Sequence, residues 1–313
     1  MSTATVTSSE RGTSLPPRVV VVTRPTDYEW LLHRHGTPQQ ARFFLEQRGD
    51  DTLESLRDRH ESFRAIVGRV LTAAPPQWRR ARVGRDDLDR FLFEPGDLVV
   101  VVGRDGLVAN TAKYLSGQPV IGIDPEPELN EGVLVPHAPS AASELLALTA
   151  EERVEVEERS MVVARLDDGQ ELVALNEIFV GHVSHQSARY EIACRGAEES
   201  QSSSGVIVAT GTGSSGWARS IATSRRTRVR LPRPTDRRLV FFVREAWPSR
   251  ATGAELVEGK LGRRDELVLR SRMDHGGVIF GDGIESDRLR FGWGRRLTVG
   301  LARQRLRLVR SAA

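Results

Sequence analysis

An aspartate in a glycine-containing turn is the residue of this chain best placed to do chemistry. Asp105 follows the apolar run Leu98 to Val102 and has Gly103 and Gly106 close on either side. A short run of β-branched residues without polar alternation is typical of a strand buried on both faces of a parallel sheet. Glycines let the backbone turn sharply and approach a ligand. The pattern predicts a strand, a tight turn and then a helix over Val108 to Leu115.

A helix that starts at such a turn favours an anionic ligand, because its free N–H groups and its positive dipole end face the turn. Asp105 would lie beside that anion, and the two negative charges repel each other. The arrangement makes sense if the carboxylate takes a proton from an attacking hydroxyl or holds a metal. The alternative is an ordinary strand-to-helix loop with a solvated aspartate, since glycine turns are common.

A second polar feature is the pair Asn176 and Glu177, which interrupts an apolar segment predicted as a strand over Glu171 to Phe179. Polar side chains in such a segment need hydrogen-bond partners to offset their desolvation. Asn donates and accepts, and Glu accepts from a hydroxyl or orients a neighbouring base, so the pair suits ribose hydroxyls. The alternative is a polar turn between two strands.

A third feature is the Gly- and Ser-rich stretch from Ser202 to Ser220, which includes the predicted strand Val206 to Thr210. Because its glycines alternate with hydroxyl side chains directly after a strand, we interpret it as a ligand cradle. A flexible linker is the alternative. Trp217 could stack on a base or, as is more usual for tryptophan, anchor the loop in the core. The candidate ligand residues are Thr210, Thr212, Gly213, Ser214, Ser215 and Trp217.

The elements around these features predict two regions of different architecture. Buried-strand patterns at Arg18 to Thr23, Leu98 to Val102 and Pro119 to Ile123 alternate with helical patterns, as in an open α/β layer. The second half carries short strand candidates separated by turn signals such as Asp168-Gly169 and Asp282-Gly283. The predicted fold class is an α/β N-terminal domain with an open, mostly parallel sheet, followed by a predominantly β C-terminal domain.

Length and local composition give the predicted domain boundaries. At 313 residues the chain exceeds the size of most single cores, so two domains are expected. Residues 1–17 read as a disordered, Ser/Thr-rich leader. Residues 18–150 form the α/β domain with the glycine-turn phosphate site, and residues 151–300 form the β-rich domain. Residues 301–313 are predicted as a C-terminal segment that packs back on the first domain, and the serines of Ser200 to Ser204 could form a linker.

Composition narrows the function classes. Cys194 is the only cysteine, which excludes an internal disulfide and a multi-cysteine zinc site and favours a cytoplasmic location. No apolar run approaches the roughly 20 residues needed to cross a bilayer, so we expect no membrane association. Net charge is only +3. An arginine cluster at 225–238 could contact phosphates, but without aromatic interleaving or a known nucleic-acid motif, nucleic-acid binding is not expected.

The three features, in this order, resemble the NAD kinase family. That family's first motif, GGDGT after a buried strand, corresponds to Gly103 to Leu107. Its Asn-Glu motif matches Asn176 and Glu177 without change, and its third motif, TPTGSTAY, falls on Thr210 to Trp217. Asp282-Gly283 is a weaker echo near the C-terminal end.

The chain departs from the family pattern at several positions. Arg104 replaces the second glycine and Leu107 the threonine of the first motif. Trp217 stands for a tyrosine, and Ser204 stands where the family commonly has an aspartate. Because these changes surround donor and acceptor contacts, they bear on the substrate more than on the fold.

The resemblance implies an NAD kinase-like fold and transfer of the γ-phosphoryl of ATP, or of polyphosphate, to the 2′-hydroxyl of the adenosine ribose of NAD. Asp105 would be the catalytic base, and Gly103, Arg104 and Gly106 would bind the ATP phosphates. The dinucleotide pocket would be lined by Asn176, Glu177, Thr210, Thr212, Gly213, Ser214, Ser215 and Trp217.

The resemblance also implies companions of the reaction. Mg²⁺ would accompany ATP, with no protein ligand to the metal assigned, and the chain would form a homodimer or homotetramer. Two alternatives remain. One is a phosphotransferase of the same superfamily that acts on another nucleoside, sugar or lipid hydroxyl. The other, suggested by Arg104 and Leu107, is a nucleotide sensor without turnover.

Overall fold

The computed structural model describes residues 16–49, 52–128 and 132–312. The predicted disordered leader 1–17 lies outside these ranges except for its last two residues. The first half of the chain forms alternating strands and helices, joined in two places by short 3₁₀ turns at Arg85–Arg90 and Pro139–Ala141. They are β1 (Arg18–Thr23), α1 (Asp27–His35), α2 (Pro38–Arg48), α3 (Leu53–Ala73), β2 (Arg79–Gly84), β3 (Asp97–Val102), α4 (Asp105–Ala112), β4 (Pro119–Ile123) and α5 (Ala142–Ala150).

The valine runs of β1 and β3 form the centre of a parallel layer in the order β2-β1-β3-β4. Successive side chains of a strand point to opposite faces, so each run supplies two cores. Val19, Val21, Val100 and Val102 pack with α3 and α5 on one face. The alternate valines of the same strands pack with α4 on the other face. Burial on both faces explains why these strands carry no polar alternation.

The second half is predominantly β, as predicted, with one short helix. Its strands join two sheets whose inner faces share a hydrophobic core. The elements are β5 (Val154–Leu166), β6 (Glu171–Ala174), β7 (Glu177–His182), β8 (Ala188–Cys194), β9 (Ala197–Ser203), β10 (Val206–Ala209), a 3₁₀ turn (Gly213–Ser215), α6 (Trp217–Arg225), β11 (Leu239–Val243), β12 (Glu258–Leu261), β13 (Leu267–Ser271), β14 (Gly277–Gly281), β15 (Ile284–Arg290) and β16 (Arg296–Ala312).

The long strand β16 joins the two halves of the molecule. Its first residues pair antiparallel with β13, and Arg307 and Leu308 pair in parallel with the start of β4. The parallel layer and the antiparallel strands β16, β13, β8 and β9 therefore belong to one ten-stranded sheet. The second sheet has six strands in the order β12-β11-β10-β7-β14-β15. Among the helices of the described ranges, none combines the length and apolar character that crossing a bilayer requires.

Three local predictions are wrong. Helix α4 begins at Asp105 rather than at Val108, so the aspartate is the first residue of the helix. The predicted strand Glu171 to Phe179 is broken at Leu175 and Asn176, where the chain leaves the first sheet and enters the second. The linker interpretation of Ser200 to Ser204 is also wrong.

The serines assigned to a linker lie in β9 and at its end, because this polar strand finds buried partners. The Tyr190 hydroxyl lies within hydrogen-bond distance of Ser203 Oγ at 2.6 Å and of Gln201 Oε1 at 3.2 Å. Hydrogen-bonded polar side chains can be buried in a sheet at little cost. The turns predicted at Asp168-Gly169 and Asp282-Gly283 are confirmed, since each joins two antiparallel strands.

Candidate active site

One cavity brings together residues from all three features singled out in the sequence. Its volume is about 650 Å³, and it lies where the start of α4 faces the β6–β7 break and the loop from β10 to α6. Val133, Leu134 and the segment Leu231 to Pro234 complete its wall. The predicted site residues that line it are Asp105, Gly106, Asn176, Glu177, Thr212, Gly213, Ser214, Ser215 and Trp217.

The Asp105 side chain is held in place by two backbone amides. The N–H of Leu134 donates to Oδ1 at 2.8 Å, and the N–H of Val133 donates to Oδ2 at 3.1 Å. Each carboxylate oxygen has two lone pairs, so each retains one for a further donor. The carboxylate is thus fixed in orientation and still able to accept a hydrogen bond from a group in the cavity.

Asn176 is positioned by contacts of its backbone. Asp282 accepts hydrogen bonds from the N–H of Leu175 at 3.0 Å and from that of Asn176 at 2.7 Å. The Asn176 carbonyl accepts from the N–H of Thr210 at 2.9 Å. These bonds replace the ladder bonds that end with β6, which explains why the chain can change sheets here. Sequence reasoning assigned Asp282 to a hairpin turn and missed its role beneath the Asn-Glu pair.

The Glu177 carboxyl is mostly buried and lies close to a second carboxyl, that of Asp282. Burial raises the pKa of Glu177 to about 7, and the negative charge of Asp282 contributes to the increase. Burial also raises the pKa of Asp282. The Glu177 carboxyl therefore changes its protonation state near neutral pH and can donate or accept a proton within the cavity wall.

Thr210 lies beneath the cavity rather than on its surface. It is fully buried, and its hydroxyl donates to the Leu175 carbonyl at 2.6 Å. The same oxygen accepts from the N–H of Thr212 at 3.1 Å and from that of Gly213 at 3.3 Å. The structure thus brings the neighbouring loop residues to the cavity and leaves Thr210 as the support that shapes their loop.

Two glycines of this loop are required by close backbone approach. A Cβ at Gly211 would overlap the Arg233 carbonyl, and a Cβ at Gly213 would overlap the Asn176 carbonyl. Real Cβ atoms do not approach carbonyl groups so closely. These two glycines therefore make room for other parts of the chain.

Trp217 contributes both to the core and to the cavity wall. Its ring stacks on Phe179 with centroids 5.7 Å apart, and the Arg244 guanidinium lies 5.1 Å from its centroid. The side chain packs on the cluster that α6 shares with the second sheet. The role of core anchor that is usual for tryptophan is confirmed, and the remaining surface of the ring lines the cavity.

Gly103 and Arg104 line a different, smaller cavity. It has a volume of about 200 Å³ and is bounded by the turn after β1, by α3 and by Pro125 and Glu126. Arg104 is exposed in this space, whereas Gly106 lines the larger cavity. The turn between β3 and α4 therefore separates the three residues that were predicted to bind ATP phosphates.

Arg159 is a cavity residue that sequence reasoning missed. It is only 2% exposed, and its Nε donates to Glu157 at 2.6 Å, while Nη1 is buried and has no hydrogen-bond partner among the described residues. Burial lowers the pKa of Arg159, and the nearby carboxylates of Glu157 and Asp105 oppose this effect. In the sequence Arg159 follows Glu157 and Glu158 and precedes Ser160, so it resembles a solvated charged residue and gives no signal of burial.

The described residues of the cavity wall include no cluster of metal-ligating side chains. Within residues 16–49, 52–128 and 132–312, no group of three or more His, Cys, Asp or Glu side chains could hold a metal ion. Asp105 already accepts two backbone hydrogen bonds, and Asp282 accepts bonds from two amides.

Comparison with known proteins gives relatives of one kind. No family model matches the sequence. The chain is 28% identical over 254 residues to NAD kinase 2, mitochondrial, of Rattus norvegicus, an alignment covering 65% of this chain and 60% of the rat protein. Identity to the Homo sapiens protein of the same name is also 28%, covering 57% of that protein. The matched part is thus less than two thirds of the length of these relatives.

A solved structure agrees with the sequence comparison. The crystal structure of yeast NADH kinase complexed with NADH superimposes on 96% of this chain and 85% of its own chain, with a TM-score of 0.57 and 16% sequence identity. The chain thus shares with this neighbour a fold that combines a parallel α/β layer with a β-rich part. The predicted resemblance to the NAD kinase family is confirmed by these relatives and by the shared fold.

Proposed function

We propose that the protein transfers the γ-phosphoryl group of ATP, or a phosphoryl group of polyphosphate, to the 2′-hydroxyl of the adenosine ribose of NAD, giving NADP. The observation that carries this proposal is the position of the Asp105 carboxylate. It lines one cavity with Asn176, Glu177 and the hydroxyl-bearing loop Thr212 to Ser215. The named activities of the relatives point in the same direction.

In the proposed reaction, Asp105 accepts the proton of the ribose 2′-hydroxyl as that oxygen attacks the γ-phosphorus. The bond between the γ-phosphorus and its bridging oxygen breaks, and ADP leaves with the electron pair. The two amides that hold the carboxylate keep its free lone pairs in a fixed direction. Phosphoryl transfer depends mainly on positioning and on charge neutralisation, which a fixed carboxylate and a cationic wall can supply.

Asn176 and the loop hydroxyls would hold the ribose and the rest of the dinucleotide. The Thr212 hydroxyl oxygen has no hydrogen-bond partner among the described residues, although it is buried at the cavity wall. A buried polar atom without a partner is unfavourable, so a ligand hydroxyl or phosphate oxygen that reaches it would be stabilised. Gly213 and Ser214 present their backbone beside it.

Arg159 would neutralise part of the negative charge of the phosphates. Its guanidinium remains cationic, lines the cavity with Asp105 and has one nitrogen that finds no hydrogen-bond partner in the described part of the chain. Mg²⁺ would enter with ATP as part of the substrate and would screen the phosphate charges. We assign no protein residue to the metal.

The finer points of the assignment are also proposals. Both mammalian relatives are mitochondrial by name, so the cytoplasmic location predicted for this chain stays a prediction. The homodimer or homotetramer also stays a prediction, which light scattering on the purified protein would check. ATP phosphate binding by Gly103, Arg104 and Gly106 is proposed with the smaller cavity as one part of the donor site.

The test is a product assay with a matched variant. Purified protein is incubated with Mg²⁺ and ATP or polyphosphate, and with NAD, NADH, nucleosides, sugars or lipids as acceptors. Products are identified by the mass of one added phosphoryl group. We expect NADP from NAD and a loss of about 10²- to 10⁴-fold in kcat for Asp105→Asn, which matches the usual contribution of a general base. The control is Asp89→Asn, an exposed aspartate outside the cavity.

Two outcomes would replace this proposal. Phosphorylation of another acceptor in place of NAD would make the protein a phosphotransferase of different specificity. The second candidate is a nucleotide sensor, favoured by the fact that both Asp105 oxygens already bind backbone amides and could serve only the structure. Calorimetric binding of NAD or ATP without transfer to any acceptor would support the sensor, and any turnover would eliminate it.

A further inference from the structure

A second large cavity lies on the antiparallel part of the ten-stranded sheet. Its volume is about 920 Å³, and it shares no lining residue with the candidate active site. We call it the arginine cleft because five arginines line it, together with only two acidic residues. The arginines are Arg165, Arg237, Arg263, Arg264 and Arg303, and the acids are Glu171 and Glu266.

Most of these arginines form no ion pair within the described residues. Arg165 pairs with Glu171 at 2.6 Å. The other four arginines make no ion pair and no side-chain hydrogen bond in the part of the chain that the structure describes. Surfaces normally intersperse charges of both signs. A concave site lined by one sign of charge focuses its field and attracts ligands of opposite sign.

Arg237 is the residue with most to gain from an anion. Its Nε is buried and lacks a hydrogen-bond partner among the described residues. Burial lowers the pKa of Arg237, the positive charges of Arg305 and Arg263 lower it further, and the nearby Glu158 carboxylate opposes this decrease. A bound anion would give the buried nitrogen an acceptor and would reduce the repulsion between the arginines.

The backbone assembles the cleft from several separate segments. The pairing of β16 with β5 shifts register between Leu301 and Arg305, and the unpaired residues of this bulge include Arg303. Bulges of this kind commonly redirect side chains near binding sites. Arg263 and Arg264 lie in the connection from β12 to β13, and Arg237 lies two residues before the start of β11. Because these separate segments meet at one place, the arginine cleft differs from a run of basic residues along a single strand.

We propose that the arginine cleft binds a phosphate-bearing polyanion of about nucleotide size, at a site separate from the one that would carry phosphoryl transfer. A guanidinium offers a planar fork of donors that matches phosphate oxygens in pairs, and several forks around one space suit a chain of phosphates. The volume lies within the range of ligand pockets. The inference goes beyond the proposed function and does not depend on it.

The test compares two double variants that remove the same charge. Arg263→Ala with Arg264→Ala changes two exposed cleft residues, and Arg64→Ala with Arg69→Ala changes two exposed residues of α3 outside the cleft. Calorimetry measures binding of sodium tripolyphosphate and of ATP by each full-length protein at low and at physiological ionic strength. We expect the cleft variant to lose a class of tripolyphosphate sites or at least ~10-fold in affinity, since charge-assisted contacts are the strong ones.

The control variant should bind as the unmodified protein does, and both variants should keep the unmodified protein's melting temperature and kcat. Arg303→Ala, from a different segment, should weaken binding in the same direction as the first pair. Tighter binding of ATP than of tripolyphosphate would identify the ligand as a nucleotide, and equal binding would identify an inorganic polyphosphate site. Equal tripolyphosphate affinity in the cleft and control variants would overturn the proposal.

Discussion

The two glycine-containing turns at the candidate active site use glycine for different purposes. In the turn between β3 and α4, a Cβ at Gly106 would meet nothing within 4 Å. In the loop between β10 and α6, a Cβ at Gly211 or Gly213 would overlap a backbone carbonyl. Glycine leaves space in the cavity at the first turn, and it allows two chain segments to touch at the second.

The two sides of the cavity also differ in how they hold charge. The α/β side contributes Asp105, a partly exposed carboxylate fixed by two amides. The β-rich side contributes Arg159 and Glu177, whose charges are largely buried. We therefore expect substitutions on the first side to change turnover with little change in stability, and substitutions on the second side to change both.

The largest effect is expected for Gly213→Ala. The added methyl group would meet the Asn176 carbonyl, which is backbone and cannot move aside without shifting the β6–β7 break. Overpacking of this kind costs about 3 kcal/mol. Chemical denaturation should show this loss in the free energy of unfolding, and phosphoryl transfer should fall as the Asn-Glu pair is displaced.

Gly106→Ala is the matched control for that variant. Its methyl group projects into open space, and alanine is a better helix former than glycine by up to ~1 kcal/mol. We expect unchanged or slightly increased stability together with weaker binding of substrate, because Gly106 lines the cavity. Equal stability losses in the two glycine variants would show that the turns do not differ as described.

The contrast between the two glycine-containing turns also shows how much of the candidate active site could be predicted from the sequence. Buried-strand patterns and turn residues follow from short-range rules, so β3, the turn at Asp105 and the loop after β10 were found. Their convergence on one cavity was inferred from the family resemblance. The function of each glycine could not be predicted, because it depends on whether Arg233 or Asn176 lies opposite it in the fold.

Residues that act through long-range contacts were also missed or misassigned. Asp282 supports Leu175 and Asn176 from more than a hundred positions away, and nothing near it in the sequence indicates that partner. Thr210 has the residue type of a ligand, but its hydroxyl serves the backbone beneath the loop. Arg159 resembles any charged strand residue until its burial is known.

The variant Arg159→Lys tests the comparison between the charges on the two sides of the cavity. We expect its effect to be intermediate in size among the variants described here. Lysine keeps the positive charge but loses the planar fork, including Nη1, which has no hydrogen-bond partner among the described residues. Loss of a charge-assisted hydrogen bond costs about 2 kcal/mol, so kcat/KM for phosphoryl transfer should fall roughly 30-fold. The decrease should appear mainly in kcat, because the neutralised charge is largest during transfer.

The variant Glu157→Gln tests whether Arg159 contributes directly to phosphoryl transfer or only stabilises the fold. It weakens the 2.6 Å ion pair of Arg159 without changing a residue that lines the cavity. We expect reduced stability with kcat within a few-fold of the unmodified protein. If Glu157→Gln lowers kcat as much as Arg159→Lys does, the arginine acts through the fold alone and makes no direct contribution to transfer.

The smallest effect concerns the pH dependence of stability at Glu177. Its folded-state pKa of about 7 lies above its ordinary value of 4.5, so the folded chain holds a proton that the unfolded chain has released between these values. The contribution of Glu177 to stability therefore falls as pH rises from about 4.5 to 7 and levels off above that range. Glu177→Gln removes this contribution, and denaturation at pH 5 and pH 8 should show a decrease in the free energy of unfolding that is smaller by about 1 to 2 kcal/mol in the variant.

The control is Glu144→Gln, at an exposed position on α5, which should follow the unmodified protein. Parallel curves for Glu177→Gln and the unmodified protein would mean that the carboxyl is solvated, and the β-rich side would then hold one buried charge rather than two.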